Sequence, residues 1–175
     1  LEKYPEIVSS VINVNNRDTN VILGDEEIVL TSKNYICDIM CKNAVNIAPK
    51  AFYQVNTPCA EQLYSSACDF AEPKGKTVLD LYCGAGTIGL SMARTAKKII
   101  GVEIVPEAIE NAKQNALANG ITNCEFICAD AAEAARILHS RNLRPDVIMV
   151  DPPRKGCGRD ACEQIAAFSA PRIVM

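Results

Sequence analysis

The stretch from Thr77 to Gly89 reads TVLDLYCGAGTIG, and it limits the possible folds more than any other part of the sequence. Val78, Leu79 and Leu81 form a short apolar run that predicts a buried strand. Gly84, Gly86 and Gly89 follow at once, and Ile88, Leu90, Met92 and Ala93 then carry the apolar spacing of a helix. A strand that turns through glycines into a helix presents backbone N–H groups to a ligand. These glycines satisfy G-x-G-x-x-G, a pattern typical of dinucleotide binding but weak on its own. Asp80, expected at the strand end, sharpens it. Its carboxylate would repel a pyrophosphate, whereas it would attract the cationic amino acid end of S-adenosylmethionine. The residues therefore favour a methyltransferase, with an NAD-dependent oxidoreductase as the competing reading.

From Lys76 onward the sequence alternates strand and helix. Strands are predicted at 77–82, 99–103, 124–128 and 146–150, with a further one starting at Arg172. Helices are predicted at about 86–96, from Pro106 to the Asn119-Gly120 stop, and at about 131–141 and 160–168. Short apolar strands alternating with helices build a doubly wound parallel sheet covered on both faces, an α/β, Rossmann-like architecture. Ligands of such sheets sit at the carboxyl ends of the strands. The residues expected there are Asp80, Glu103, Asp130 and Asp151, all acidic. Glu103 suits the two hydroxyls of an adenosine ribose, and Asp130 suits an adenine amino group. For any one of them a helix N-cap is the plain alternative, but four in register are hard to explain that way.

The first part of the chain has a different texture. IVSSVINVN, NVILGDEEIVL and YICDIMC are β-branched runs separated by NNRDTN, GDEE and SKN. They predict three to five short antiparallel strands in a small β region over residues 1–48, followed by the cofactor domain at 49–175. Between them, PKAFYQVN leads into a helix with Thr57 as expected N-cap, Pro58 at its first position and Leu63, Ala67 and Phe70 as its apolar face.

Composition adds exclusions rather than a function. No apolar run approaches the roughly 20 residues of a membrane span. A formal charge of −3 gives no global signature of nucleic-acid binding, which leaves a local patch. The nine cysteines include no C-x-x-C pair and are joined by the single His139, so a metal site within this chain is not expected. Reduced thiols acting as small hydrophobes are the simpler account, with Cys124 and Cys128 expected in the core. The opening at Leu1 and the apolar ending PRIVM suggest a fragment of a longer protein.

Asp151 heads DPPRKG, at the place where amino-methyltransferases carry [N/D]-P-P-[aromatic]. Arg154 takes the aromatic place, which suits a phosphate or carbonyl better than a stacked base and argues against N-methylation. Lys155 and Arg159 extend the loop into a small basic patch.

With FYQVN at 52–56, LDLYCGAGTIGL at 79–90, GVEIVPEAIENAKQNA at 101–116 and DPPRKG at 151–156, the chain resembles the RNA uracil-C5 methyltransferases of the RumA/TrmA type. The NVILGDEEIVL segment is similar to the branch acting on 23S ribosomal RNA. The resemblance implies a class I S-adenosylmethionine-dependent methyltransferase making 5-methyluridine in RNA, more in keeping with rRNA than with tRNA. It implies cofactor contacts from Gln54, Tyr82, Gly84, Gly86, Thr87, Glu103, Asp130 and Asp151, and an RNA contact from Arg154. It also implies a monomeric cytoplasmic enzyme without membrane attachment. An RNA-binding barrel, and in many members an iron–sulfur cluster, would lie before Leu1. In that family a cysteine thiolate adds at uracil C6 so that C5 can attack a methyl sulfonium, and a base then removes the C5 proton. The nucleophile's motif follows strand five, so the catalytic cysteine is expected after Met175. Neither Cys83 nor Cys157 matches that motif.

Overall fold

The computed structural model describes residues 3–18 and 22–175. Leu1 and Glu2 lie outside it, as do Thr19, Asn20 and Val21, which belong to the expected NNRDTN turn and the NVIL run. The β region holds four short strands, β1 (Val11–Val14), β2 (Glu26–Val29), β3 (Ile36–Met40) and β4 (Asn43–Ile47). They form two separate antiparallel pairs, β1 with β2 and β3 with β4. The β3–β4 turn is made by Cys41 and Lys42 at φ of 49° and 63°, left-handed angles that match the twist of a tight hairpin.

Helix α1 (Thr57–Ala71) then leads to β5 (Thr77–Leu81), α2 (Thr87–Ala93), β6 (Lys98–Glu103), α3 (Pro106–Ala118), β7 (Cys124–Cys128), α4 (Ala131–Ser140), β8 (Val147–Val150), α5 (Arg159–Ala167) and β9 (Arg172–Val174). The last five strands form one parallel sheet in the order β7-β6-β5-β8-β9. The doubly wound α/β expectation holds. The glycine helix is shorter than expected because the chain turns out of it at Arg94.

The sheet is buried on both faces, which explains its nearly continuous apolar strands. Leu79, Leu81, Ile100, Val102, Ile148 and Val150 pack against Ala134, Leu138, Ala161 and Ile165 of α4 and α5. The alternate residues Val78, Ile99, Val147 and Met149 pack with Ala71 of α1 and Met92 and Ala93 of α2. A third cluster joins Met40 and Val45 of the hairpin to Ala60 and Tyr64 of α1.

Two expectations about α1 are corrected. Its N-cap is Asn56, whose side chain accepts from the Cys59 N–H, while the Thr57 hydroxyl is bonded to Asp38. Its buried stripe is Ala60, Tyr64 and Ala71, and Leu63 and Phe70 are exposed. The cysteine reading also shifts, since Cys124 is only half-buried and Cys128 is exposed.

Candidate functional site

The order of the sheet places its switch point between β5 and β8, where the connections run off in opposite directions. The turn after β5 starts with Tyr82, which adopts a left-handed φ of 63°. The Cys83 N–H then donates to the Val102 carbonyl at 2.9 Å, extending the link to β6 past the end of the strand. Gly84 and Gly86 follow at φ of 53° and 80°, and Gly86 is the N-cap of α2. At Gly86 a side chain is excluded twice. The angle disfavours it, and a Cβ would lie 3.2 Å from that of Ala112 and 3.3 Å from the Phe126 ring.

Glu103 closes β6 beside this loop. One carboxylate oxygen accepts from the Gly84 N–H at 3.2 Å, and the other from the Ile104 and Val105 N–H groups at 2.8 and 3.1 Å. Three backbone bonds fix the direction of the carboxylate, and its oxygens keep lone pairs for a ligand. From the far side, fully buried Asn115 of α3 donates to the Ala85 carbonyl at 3.2 Å and accepts from the Asn46 N–H at 2.8 Å. The glycine loop is thus braced by β6, by α3 and, through α3, by the hairpin.

Asp80 does not reach the strand edge as expected. It is 1% exposed, and one oxygen accepts from the Gly89 N–H at 3.0 Å while the other is buried without a partner. Burial pushes its pKa up to about 7, against the pull of the Gly89 bond and with help from the nearby Asp151 and Glu103 charges. At neutral pH this carboxyl is therefore a partly protonated strut beneath the loop rather than a fixed charge. The expected row of four acids is thereby reduced to three.

The other expected residues are distributed as follows. Asp151 is exposed just past β8, and its charge adds to the burial that raises the Tyr64 phenol. Asp130 is exposed at the end of the β7 connection, and its side chain caps α4 by accepting from the Glu133 N–H at 2.8 Å. Thr87 opens α2 and shares a 3.2 Å hydrogen bond with the Tyr64 hydroxyl. Gln54 is half-buried and its side chain makes no hydrogen bond among the described residues. Tyr82 packs against the core with Cys157, and burial pushes its phenol up to about 12, with the Cys157 thiol adding to the effect. Arg154 and Lys155 are exposed without ion pairs among the described residues, whereas Arg159 is held by Glu163 at 2.8 Å. The basic patch is accordingly narrower than the sequence implied. Nothing local in the sequence signals Asp38, Tyr64 or Asn115, whose partners lie 15 to 69 positions away.

A five-stranded parallel sheet with a glycine turn after its central strand and an acid closing the next strand is the architecture of the class I S-adenosylmethionine-dependent methyltransferases. The family profile described as a methyltransferase domain matches residues 72–169, and the chain belongs to that family. A profile described as DNA methylase also matches, over residues 15–114. The chain is 45% identical over 174 residues to an uncharacterized RNA methyltransferase of Oceanobacillus iheyensis, covering 99% of this chain and 38% of that protein. A second uncharacterized RNA methyltransferase, from Clostridium acetobutylicum, is 48% identical over 163 residues, covering 93% of this chain and 35% of that protein. The chain thus spans well under half the length of these relatives. Among solved structures it resembles the Pyrococcus abyssi tRNA (uracil-54, C5)-methyltransferase in complex with S-adenosyl-L-homocysteine. That similarity has a TM-score of 0.81 at 26% identity and covers 98% of this chain and 41% of the other.

Proposed function

We propose that this chain is the cofactor-holding part of an RNA methyltransferase that methylates uridine at C5. The carrying observation is the Glu103 carboxylate, fixed by three backbone N–H groups against a glycine loop at the switch point. The residues fit an adenosyl amino acid. A Cβ at Gly84 would meet nothing within 4 Å, so the turn lies open to a ligand there, and two carboxylate oxygens match two ribose hydroxyls. Glu103 would hold the ribose, with Gly84, Gly86 and Thr87 along the turn. Gln54, Tyr82, Asp130 and Asp151 are assigned to the remaining cofactor contacts, and Arg154 to the RNA. The bound group would supply a methyl on a positively charged sulfur. The curated relatives support RNA as substrate class and the Pyrococcus neighbour supports uridine C5 as target; 23S rRNA rather than tRNA is the branch favoured by the NVILGDEEIVL segment. The DNA methylase match ends at residue 114, ahead of the DPPR loop, and Arg154 in the aromatic's place speaks against an exocyclic amine as target.

None of the work of a thiolate falls to Cys83. It is buried, and burial together with the Asp80 and Glu103 charges holds its thiol well above the usual range. Addition at uracil C6 is assigned to a cysteine outside these 175 residues.

Calorimetry with S-adenosylhomocysteine tests the cofactor reading. Glu103→Ala is expected to weaken binding by about 1.5–3 kcal/mol, the scale of hydrogen bonds to a charged group. Equal affinity in wild type and variant would overturn the assignment.

A further inference from the structure

The residue assigned to the cofactor in FYQVN lies on a strap, residues 52–56, between the hairpin and α1. A strap of this kind has no ladder of its own to hold it. On either side Phe52 and Val55 are exposed, at 76% and 95%, so apolar burial of those two does not fix the strap. Two bonds from one carboxylate do. Asp38 lies in the middle of β3, on the same face of the strand as buried Met40. One of its oxygens accepts from the Tyr53 hydroxyl at 2.8 Å and from the Thr57 hydroxyl at 3.2 Å. Its other oxygen accepts from the Ile39 N–H at 2.8 Å, which locks the carboxylate's rotation. Tyr53 and Thr57 bracket Gln54, the half-buried amide left uncommitted. The Tyr53 ring also packs against the Met40, Val45 and Tyr64 cluster, and Tyr64 continues the connection to Thr87 at the start of α2.

We infer that Asp38 is a positioning residue of the cofactor site, fixing the strap that carries Gln54 by clamping it on both sides of that residue. This rests on the cofactor reading above. It gives the hairpin a part in binding that its sequence, a short polar-apolar strand, does not suggest.

The test is a double-mutant cycle read by calorimetry with S-adenosylhomocysteine, alongside thermal unfolding of each variant. Gln54→Ala is expected to weaken binding roughly ten-fold, the scale of a hydrogen bond lost to a ligand. Asp38→Ala is expected to weaken it by a similar factor, and the double variant to be no weaker than either single one. Asp38→Asn keeps an acceptor for both hydroxyls and is expected to recover most of the affinity. A general loss of stability would not give that non-additivity. Should Asp38→Ala fail to fold, Tyr53→Phe removes one of the two bonds, keeps the ring, and is expected to show a several-fold loss that vanishes in the Gln54→Ala background. Wild-type affinity in Asp38→Ala, losses that multiply in the double variant, or an unaffected Gln54→Ala would each overturn the inference. Glu103→Ala separates the two levels: its loss of affinity with Asp38→Ala unchanged defeats only the clamp, whereas its own unchanged affinity defeats the cofactor reading.

Discussion

Asp80 illustrates how a single residue can be located by sequence and still be misread. The apolar run around it makes a buried strand certain to include it, and the glycines after it fix the turn. What the sequence does not show is that α2 folds back so that the Gly89 N–H lands on the carboxylate. A measurable pH dependence follows. An unfolded chain ionises this group near the ordinary 3.8, whereas the folded protein holds its proton up to about 7. Between those values the folded state binds a proton that the unfolded state has released. The group's contribution to stability is therefore full below pH 4 and is lost as the pH rises through 7. Asp80→Asn keeps an acceptor for Gly89 and removes the charge. Its unfolding free energy from denaturant titration is expected to exceed that of the wild type at pH 8, by at most a few kcal/mol at about 1.4 per pK unit, and to converge with it at pH 4. Equal curves at both pH values would show that the buried carboxyl is not the titrating group. Gly101 is a second residue whose purpose is invisible in sequence. A Cβ there would lie 2.6 Å from the Phe126 ring and 2.9 Å from the Cys83 sulfur, so the close approach of β7 and the loop depends on its bareness.

Among the elements, the alternating strands and helices after Lys76 were legible because each strand is buried on both faces and each helix is punctuated by proline, asparagine or glycine. Helix α1 was less so. The period of its apolar residues allows two stripes, and nothing local says that Ala60 and Tyr64 meet the hairpin and Ala71 the sheet while Leu63 and Phe70 face outward. The hairpin itself is docked by side chains that no pattern announces. Asn119, the C-cap of α3, accepts from the Ala44 N–H at 2.8 Å and donates to the Ala44 carbonyl at 2.7 Å, doing for β4 what a neighbouring strand would do. A division of the chain at residue 48 is a proposal, and these contacts give its test a direction. Removing residues 1–33 takes only β1 and β2 and is expected to leave the unfolding temperature nearly unchanged. Removing residues 1–48 also strips Met40 and Val45 from Tyr64, and is expected to leave a folded domain that is less stable by several kcal/mol. Equal stability of the two truncations would show that the hairpin's packing contributes nothing.

For the molecule as a whole, no helix among the described residues is long and apolar enough to cross a membrane, and the formal charge is −3. An RNA site of the kind proposed would therefore be local, and Arg154 and Lys155, exposed in the loop after β8 without ion pairs among the described residues, are the cations proposed for it. A polypeptide extended to the length of the curated relatives is expected to form an adduct with a 5-fluorouridine RNA that survives a denaturing gel, because fluorine at C5 blocks the final proton removal. The 175-residue chain is expected to leave the same RNA free. An adduct with the short chain would assign the nucleophile to one of its own cysteines.

The order β7-β6-β5-β8-β9 also carries a history in time. Its central strand is the first of the five to leave the ribosome, and β6 and β7 follow on one side before β8 and β9 exist. Gln54, the glycine turn and Glu103 all precede α4 in the chain, while Asp151 and Arg154 follow it. A nascent chain paused within α4 holds Gln54, the glycine turn and Glu103 and none of the DPPR loop.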